Sequence, residues 1–170
     1  ACRRATWWLD DLKAQLAVRI GDDAPAPSAG VNWSNALRAR VEETALDHPR
    51  RSLSFTVDGA PAISASLPHV LLVLGGLLDL AFKTTGSKEP VTVHASGDAR
   101  SLELRVETQN SEAPSPWAST MPPSQWTLGN EHSVPFRIVQ AALLAERMNG
   151  QVDVTWSDTK LVALARFATR

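Results

Sequence analysis

The feature that most limits what this chain can fold into is residues 67–88, Leu-Pro-His-Val-Leu-Leu-Val-Leu-Gly-Gly-Leu-Leu-Asp-Leu-Ala-Phe-Lys-Thr-Thr-Gly-Ser-Lys. Pro68 stands where a first helical turn tolerates a residue without an N–H, and Gly86 stands where a helix stops. Apolar residues take nearly every position between them, which predicts a helix buried on most of its circumference. Polar character returns at Asp79, Lys83 and Thr84, spaced i, i+4 and i+5, so the three lie near one another at the C-terminal end. The pattern suits a core helix, or one that opens at one end onto the floor of a site.

The rest of the chain supplies elements that can cover it. Residues 5–20 put Ala5, Trp8, Leu9, Leu12, Leu16 and Ile20 on one stripe, which predicts an amphipathic helix. Gly21 closes it, and residues 22–30, with Pro25, Pro27 and Ser28, read as a linker. A lone helix ahead of a linker cannot bury its stripe on itself, so it either folds back on its own domain or meets a partner. Residues 31–33 read as a short strand. Ser34 is the expected cap of a helix reaching about Asp47, with Leu37, Val41, Thr44 and Ala45 inward, ended by His48-Pro49. Residues 52–58 alternate strictly, with Leu53, Phe55 and Val57 on one face, as in a strand with one solvated side. Residues 91–95 and 102–107 also alternate, and Gly97-Asp98 between them marks an antiparallel hairpin. Residues 108–133 are irregular and hold Pro114, Pro116, Trp117, Pro122, Pro123 and Trp126; a loop of that length in a compact domain is functional or disordered. Residues 134–148 predict a helix with Ile138, Val139, Ala142, Leu143 and Met148 on its apolar side, stopped by Asn149-Gly150. Residues 151–156 and 161–168 close the chain as a hairpin around Ser157-Asp158.

This order predicts the α+β class: a two-layer α/β sandwich whose mixed, mostly antiparallel sheet carries three helices on one face, preceded by one amphipathic helix. The expected division is 1–21 for that helix, 22–30 for the linker and 31–170 for the sandwich. A length of 170 residues suits one such domain with an appended element. A net charge of −1 gives no reason to expect nucleic acid or an anionic membrane surface as a partner. Cys2 is the single cysteine, which excludes an internal disulfide and a cysteine-rich metal site. No basic-then-apolar signal segment opens the chain, and the apolar run 70–78 is too short to span a bilayer, so the expected setting is the cytoplasm, including the cytoplasmic part of a larger sensor.

Residues 76–85, Gly-Leu-Leu-Asp-Leu-Ala-Phe-Lys-Thr-Thr, resemble the helix that floors the nucleotide pocket in the histidine-kinase-like ATPase family, which usually reads Asn-Leu-Leu-Asp-Asn-Ala-x-Lys-x-Thr. Asp79, Ala81, Lys83 and Thr85 match, whereas the two asparagines are Gly76 and Leu80. The element order from about residue 31 onward is similar to the same domain. Leu9-Asp10-Asp11-Leu12 resembles the tail of the second dimerisation helix that precedes it in sensor histidine kinases.

The resemblance implies four nucleotide motifs, and each is altered here. In the family the second asparagine is a magnesium ligand; Leu80 offers no oxygen to a hard cation. An Asp-x-Gly-x-Gly stretch after the strand pair recognises the adenine amino group; Thr108, Asn110 and Glu112 occupy its three defining places, and a glutamate there would repel phosphates. A Gly-Leu-Gly-Leu turn presents N–H groups to the phosphates at a helix N-terminus; Ser133 and Pro135 replace its glycines, and Pro135 has no N–H. The Gly-x-Gly-Thr turn between the last strands is Ser157-Asp158-Thr159-Lys160. Lys83, which in the family approaches the phosphates, survives with Asp79, although a lysine near a helix C-terminus is favourable through the dipole alone.

The expectation is therefore a vestigial nucleotide pocket around Asp79 and Lys83, with no catalytic residue, no metal ligand and no cofactor. His48, His69, His94 and His132 all lack the following acidic residue of a phosphoaccepting histidine. The implied role is a regulatory or docking module in two-component phosphorelay signalling. Its implied partners are a response regulator or the helices of a partner kinase, and a second copy through residues 5–20. One alternative is an active kinase domain holding ATP and magnesium through divergent ligands. The other is the ATPase-like domain of a histidine phosphotransfer protein, which needs a phosphoacceptor helix upstream.

Overall fold

A computed structural model describes residues 26–111, 123, 136–157 and 159–168. The expected helix over 5–20, the start of the linker and nearly all of the loop after Ser111 lie outside them. The elements run α1 (Trp33–Asp47), β1 (Leu53–Gly59), α2 (Leu67–Thr84), β2 (Val91–Gly97), β3 (Ser101–Thr108), α3 (Phe136–Arg147), β4 (Gly150–Ser157) and β5 (Lys160–Ala168).

The sheet order is β1-β2-β3-β5-β4. β1 and β2 are parallel because α2 carries the chain across between them, and every other pairing is antiparallel. Strand alternation becomes continuous rows across the sheet. Phe55, Val93, Val106, Ala163 and Val154 form one row, and Val57, Ala95, Leu104, Ala165 and Val152 form the next. Both rows face the helices, and their central members are fully buried. The opposite face carries Thr92, His94, Glu103, Arg105, Glu107, Asp153 and Arg166 and is solvated. The α+β two-layer sandwich is the architecture found.

The central helix α2 lies in the middle of the helical layer, between α1 and α3, and touches β3 and β5 beneath. Val70, Val73, Leu74, Leu77, Leu78 and Leu80 are at most 1% exposed. Burying each such side chain contributes about 1.5–3 kcal/mol. By length and composition α2 could cross a membrane, unlike the shorter run 70–78, but here its apolar surface is the domain core.

Three local expectations change. Residues 31–33 are not a strand: Asn32, extended at φ −84 and ψ 91, caps α1 through a bond from the Asn35 N–H to its Oδ1, and helix begins at Trp33 rather than after Ser34. The indole of Trp33 is 2% exposed, so its burial sets where the helix starts. Gly97 belongs to β2, and the turn is made by residues 98–100, where Asp98 Oδ1 accepts from the N–H groups of Arg100 and Ser101 and from the Ser101 hydroxyl. Leu143 faces out at 41% exposure, because Ile138, Ala141, Ala142, Ala145 and Met148 define the inward stripe and a residue five beyond Ile138 points well away from it.

Candidate functional site

Asp79 and Lys83 stand one helical turn apart on α2, and they pair with each other: Lys83 Nζ lies 2.9 Å from Asp79 Oδ2. The lysine side chain is 55% exposed and the carboxylate 19%. Asp79 faces a cavity of about 110 Å³ between the helices, lined by Arg40, Glu43, Thr44 and His48 of the α1 side, by Gly75, Leu78 and Phe82 of α2, and by Arg137 of α3. Pockets for cofactors and drug-sized ligands typically span roughly 300–1,000 Å³. This one is below that range.

The two positions where the resembling family has asparagine, Gly76 and Leu80, are closed by packing. Leu80 is fully buried. Gly76 lies directly under α3: a Cβ there would stand 2.6 Å from the Ala141 Cβ and 2.8 Å from the Arg137 carbonyl oxygen. The neighbouring Gly75 points the other way, where a Cβ would meet only the end of the Arg40 side chain at 3.5 Å. The glycine pair thus lets α3 pack onto one side of α2 and Arg40 onto the other.

The segments that carry the second and fourth motif positions meet at the C-terminal end of α2, beside a short chain of side-chain hydrogen bonds. Thr108 is 2% exposed, and its hydroxyl donates to the Pro90 carbonyl at 3.1 Å. The Trp156 Nε1–H donates to Ser111 Oγ at 3.2 Å, the Ser111 hydroxyl to Thr84 Oγ1 at 2.9 Å, and the Thr84 hydroxyl to the Leu80 carbonyl at 2.8 Å. The Ser111 N–H bonds the Thr159 carbonyl at 2.7 Å, pinning the segment after β3 to the turn between β4 and β5. Asn110 takes φ 49, a left-handed conformation at a place where the family motif has glycine. Ser157 ends β4 opposite Lys160. Glu112, Ser133 and Pro135 lie outside the described residues.

Arg51 closes the same end of α2. It donates to the carbonyls of Phe82, Thr85 and Gly86 at 2.6, 3.3 and 2.9 Å, and its guanidinium lies 5.1 Å over the Phe82 ring. On the open sheet face, burial pushes the Glu107 carboxyl up, but Lys160 and Arg105 outweigh it and hold it below the usual range. Arg51, Ser111 and Trp156 carry no local signal in the sequence, because the partners of their side chains lie 27 to 45 residues away. Gly75-Gly76 does carry one, since glycine inside a helix is unfavourable, but the pair does not say which of the two is the seat.

No family model matches the sequence, and no curated protein sequence matches it. Solved structures do match. The catalytic domain of the histidine kinase ThkA superposes with a TM-score of 0.60 over 82% of this chain and 93% of its own, at 12% identity. The mycobacterial sensor histidine kinase MprB gives 0.62 over 82% and 97%, at 14% identity. Full-length ShkA in complex with AMPPNP gives 0.70 over 99% of this chain and 38% of its own, at 21% identity. The fold is that of a histidine-kinase catalytic domain. Within this histidine-kinase-like fold, α2 is the helix whose residues 76–85 resemble the nucleotide-floor motif.

Proposed function

We propose that this chain is a degenerate ATP-binding-like domain of a sensor histidine kinase or a close relative, a regulatory or docking module in phosphorelay signalling that does not bind ATP. The observation that carries this reading is the seating of α3 on Gly76, beside a fully buried Leu80. Where the family resemblance calls for two asparagines, the second a magnesium ligand, there is helix-to-helix contact at Gly76 and aliphatic core at Leu80. The residues do not fit magnesium, because a hard cation needs oxygen ligands and Leu80 has none to give. The hydroxyl of Thr108, at the adenine-recognition place, bonds within the protein.

Partnering follows the same reading. ThkA has been solved in complex with the response regulator protein TrrA, and that structure superposes on this chain with a TM-score of 0.61. We assign this chain a response regulator or partner-kinase helices as its docking partner, and a cytoplasmic setting. The AMPPNP bound to ShkA favours the competing reading of an active domain.

Titration with Mg-ATP separates the two. A ligand at about 100 times its Kd stabilises a fold by about 2.7 kcal/mol, or roughly 5–10 °C in Tm for a domain of this size. The expected result with millimolar Mg-ATP is no shift and no heat. Leu80→Asn is expected to lower Tm without restoring binding, because the amide would be buried without partners. A saturable, magnesium-dependent rise in Tm of the unmutated chain would establish the active reading instead.

A further inference from the structure

The segment just ahead of α1 does something that its linker-like composition does not announce. Ser28 is half-buried and makes two bonds to the loop entering α2: its N–H donates to the Ala65 carbonyl at 2.9 Å, and its Oγ accepts the Leu67 N–H at 3.0 Å. Leu67 is the first residue of α2, 39 residues further along the chain. The residue in the N-cap place, Ser66, makes no side-chain capping bond; its hydroxyl lies 2.6 Å from His69 Nδ1 instead. The first N–H of the core helix is therefore capped from a distance, by Ser28.

Four residues later the same segment caps a second helix, through the bond from the Asn35 N–H to Asn32 Oδ1 at 3.0 Å. Between the two caps Gly30 takes φ +65, a conformation that side chains rarely adopt, and nothing approaches within 4 Å of where its Cβ would be. Trp33, 2% exposed, anchors the far side of this pivot in the core. Three independent features thus meet in five residues: a cap on α2, a left-handed pivot and a cap on α1.

We infer that residues 28–32 are a double-capping strap, which couples the N-termini of α1 and α2 to each other through the pivot at Gly30. Ser28 lies before the pivot and holds α2 at Leu67, whereas Asn32 lies after it and holds α1, so strain placed on Gly30 reaches both caps.

Amide hydrogen exchange on the full chain tests this. Ser28→Ala is expected to speed exchange at Leu67 by roughly 2- to 30-fold, the range that follows from loss of a capping bond, with the first turn of α1 unchanged. Asn32→Ala is expected to do the reverse. Gly30→Ala, whose side chain is strained at a positive φ whatever the space, is expected to speed both first turns together. Ser28→Thr keeps the oxygen and is expected to keep the parent rates. The amides of β3 and β5 report on the whole fold. A uniform rise there in Ser28→Ala would mean global destabilisation and would overturn a local strap. An unchanged Leu67 in Ser28→Ala, or a Gly30→Ala that opens one turn alone, would equally reduce the segment to a passive linker.

Discussion

At the scale of single residues, side chains that would be polar handles on a surface are held inward by other parts of the chain. His69 shows what this costs. Burial lowers its pKa from 6.5, its Nδ1 faces the Ser66 hydroxyl, and its Nε2 is buried without a hydrogen-bond partner among the described residues. The sign follows from linkage. Above about pH 6.5 the ring is neutral in both the folded and unfolded chain, and the fold keeps its full stability. As pH falls below that value the unfolded chain takes up the proton first, so stability drops until the folded pKa is passed. Urea midpoints at about pH 7.5 and about pH 5 should therefore differ more for the parent than for His69→Asn, which keeps an acceptor near Nδ1 but has no charge to gain. Equal slopes for the two chains would show that His69 does not couple folding to protons.

Among elements, the packing of α2 decides the matter. Its two adjacent glycines look alike in sequence but lie in opposite environments, so they should respond to the same substitution with opposite signs. Replacing glycine by alanine inside a helix favours folding by about 0.5–1 kcal/mol. At Gly75 the added methyl meets only a flexible arginine tip at 3.5 Å, so Gly75→Ala should stabilise by that amount. At Gly76 it meets Ala141 and the Arg137 carbonyl below 3.0 Å, and overpacking costs about 1–3 kcal/mol, enough to reverse the sign. Chemical denaturation of the two variants measures the difference. If Gly76→Ala is no less stable than Gly75→Ala, α3 does not sit on α2 as described.

For the whole molecule, the chain from Trp156 through Ser111 and Thr84 to the Leu80 carbonyl ties β4, the segment after β3 and α2 together. Each such bond contributes about 0.5–1.5 kcal/mol net, and the network predicts non-additivity. Trp156→Phe and Ser111→Ala should each destabilise, and the double variant should lose less than the sum by about 0.5 kcal/mol or more. Strict additivity would mean that the two side chains act separately. The sequence by itself determined the layers: strict alternation in residues 52–58, 91–95 and 102–107 specified half-solvated strands, and the near-continuous apolar run of α2 required cover on both flanks. Those patterns are local and carry a period, so they can be read without coordinates. It also carried the resemblance of residues 76–85 to the nucleotide-floor helix, since residue types at spaced positions are visible in one dimension. Only the tertiary structure decided that Gly76 is a seat for α3, that Ser28 caps a helix far along the chain, and that Arg51 and Trp156 secure one end of α2. Those roles arise where distant segments meet, and no period in the chain encodes a meeting.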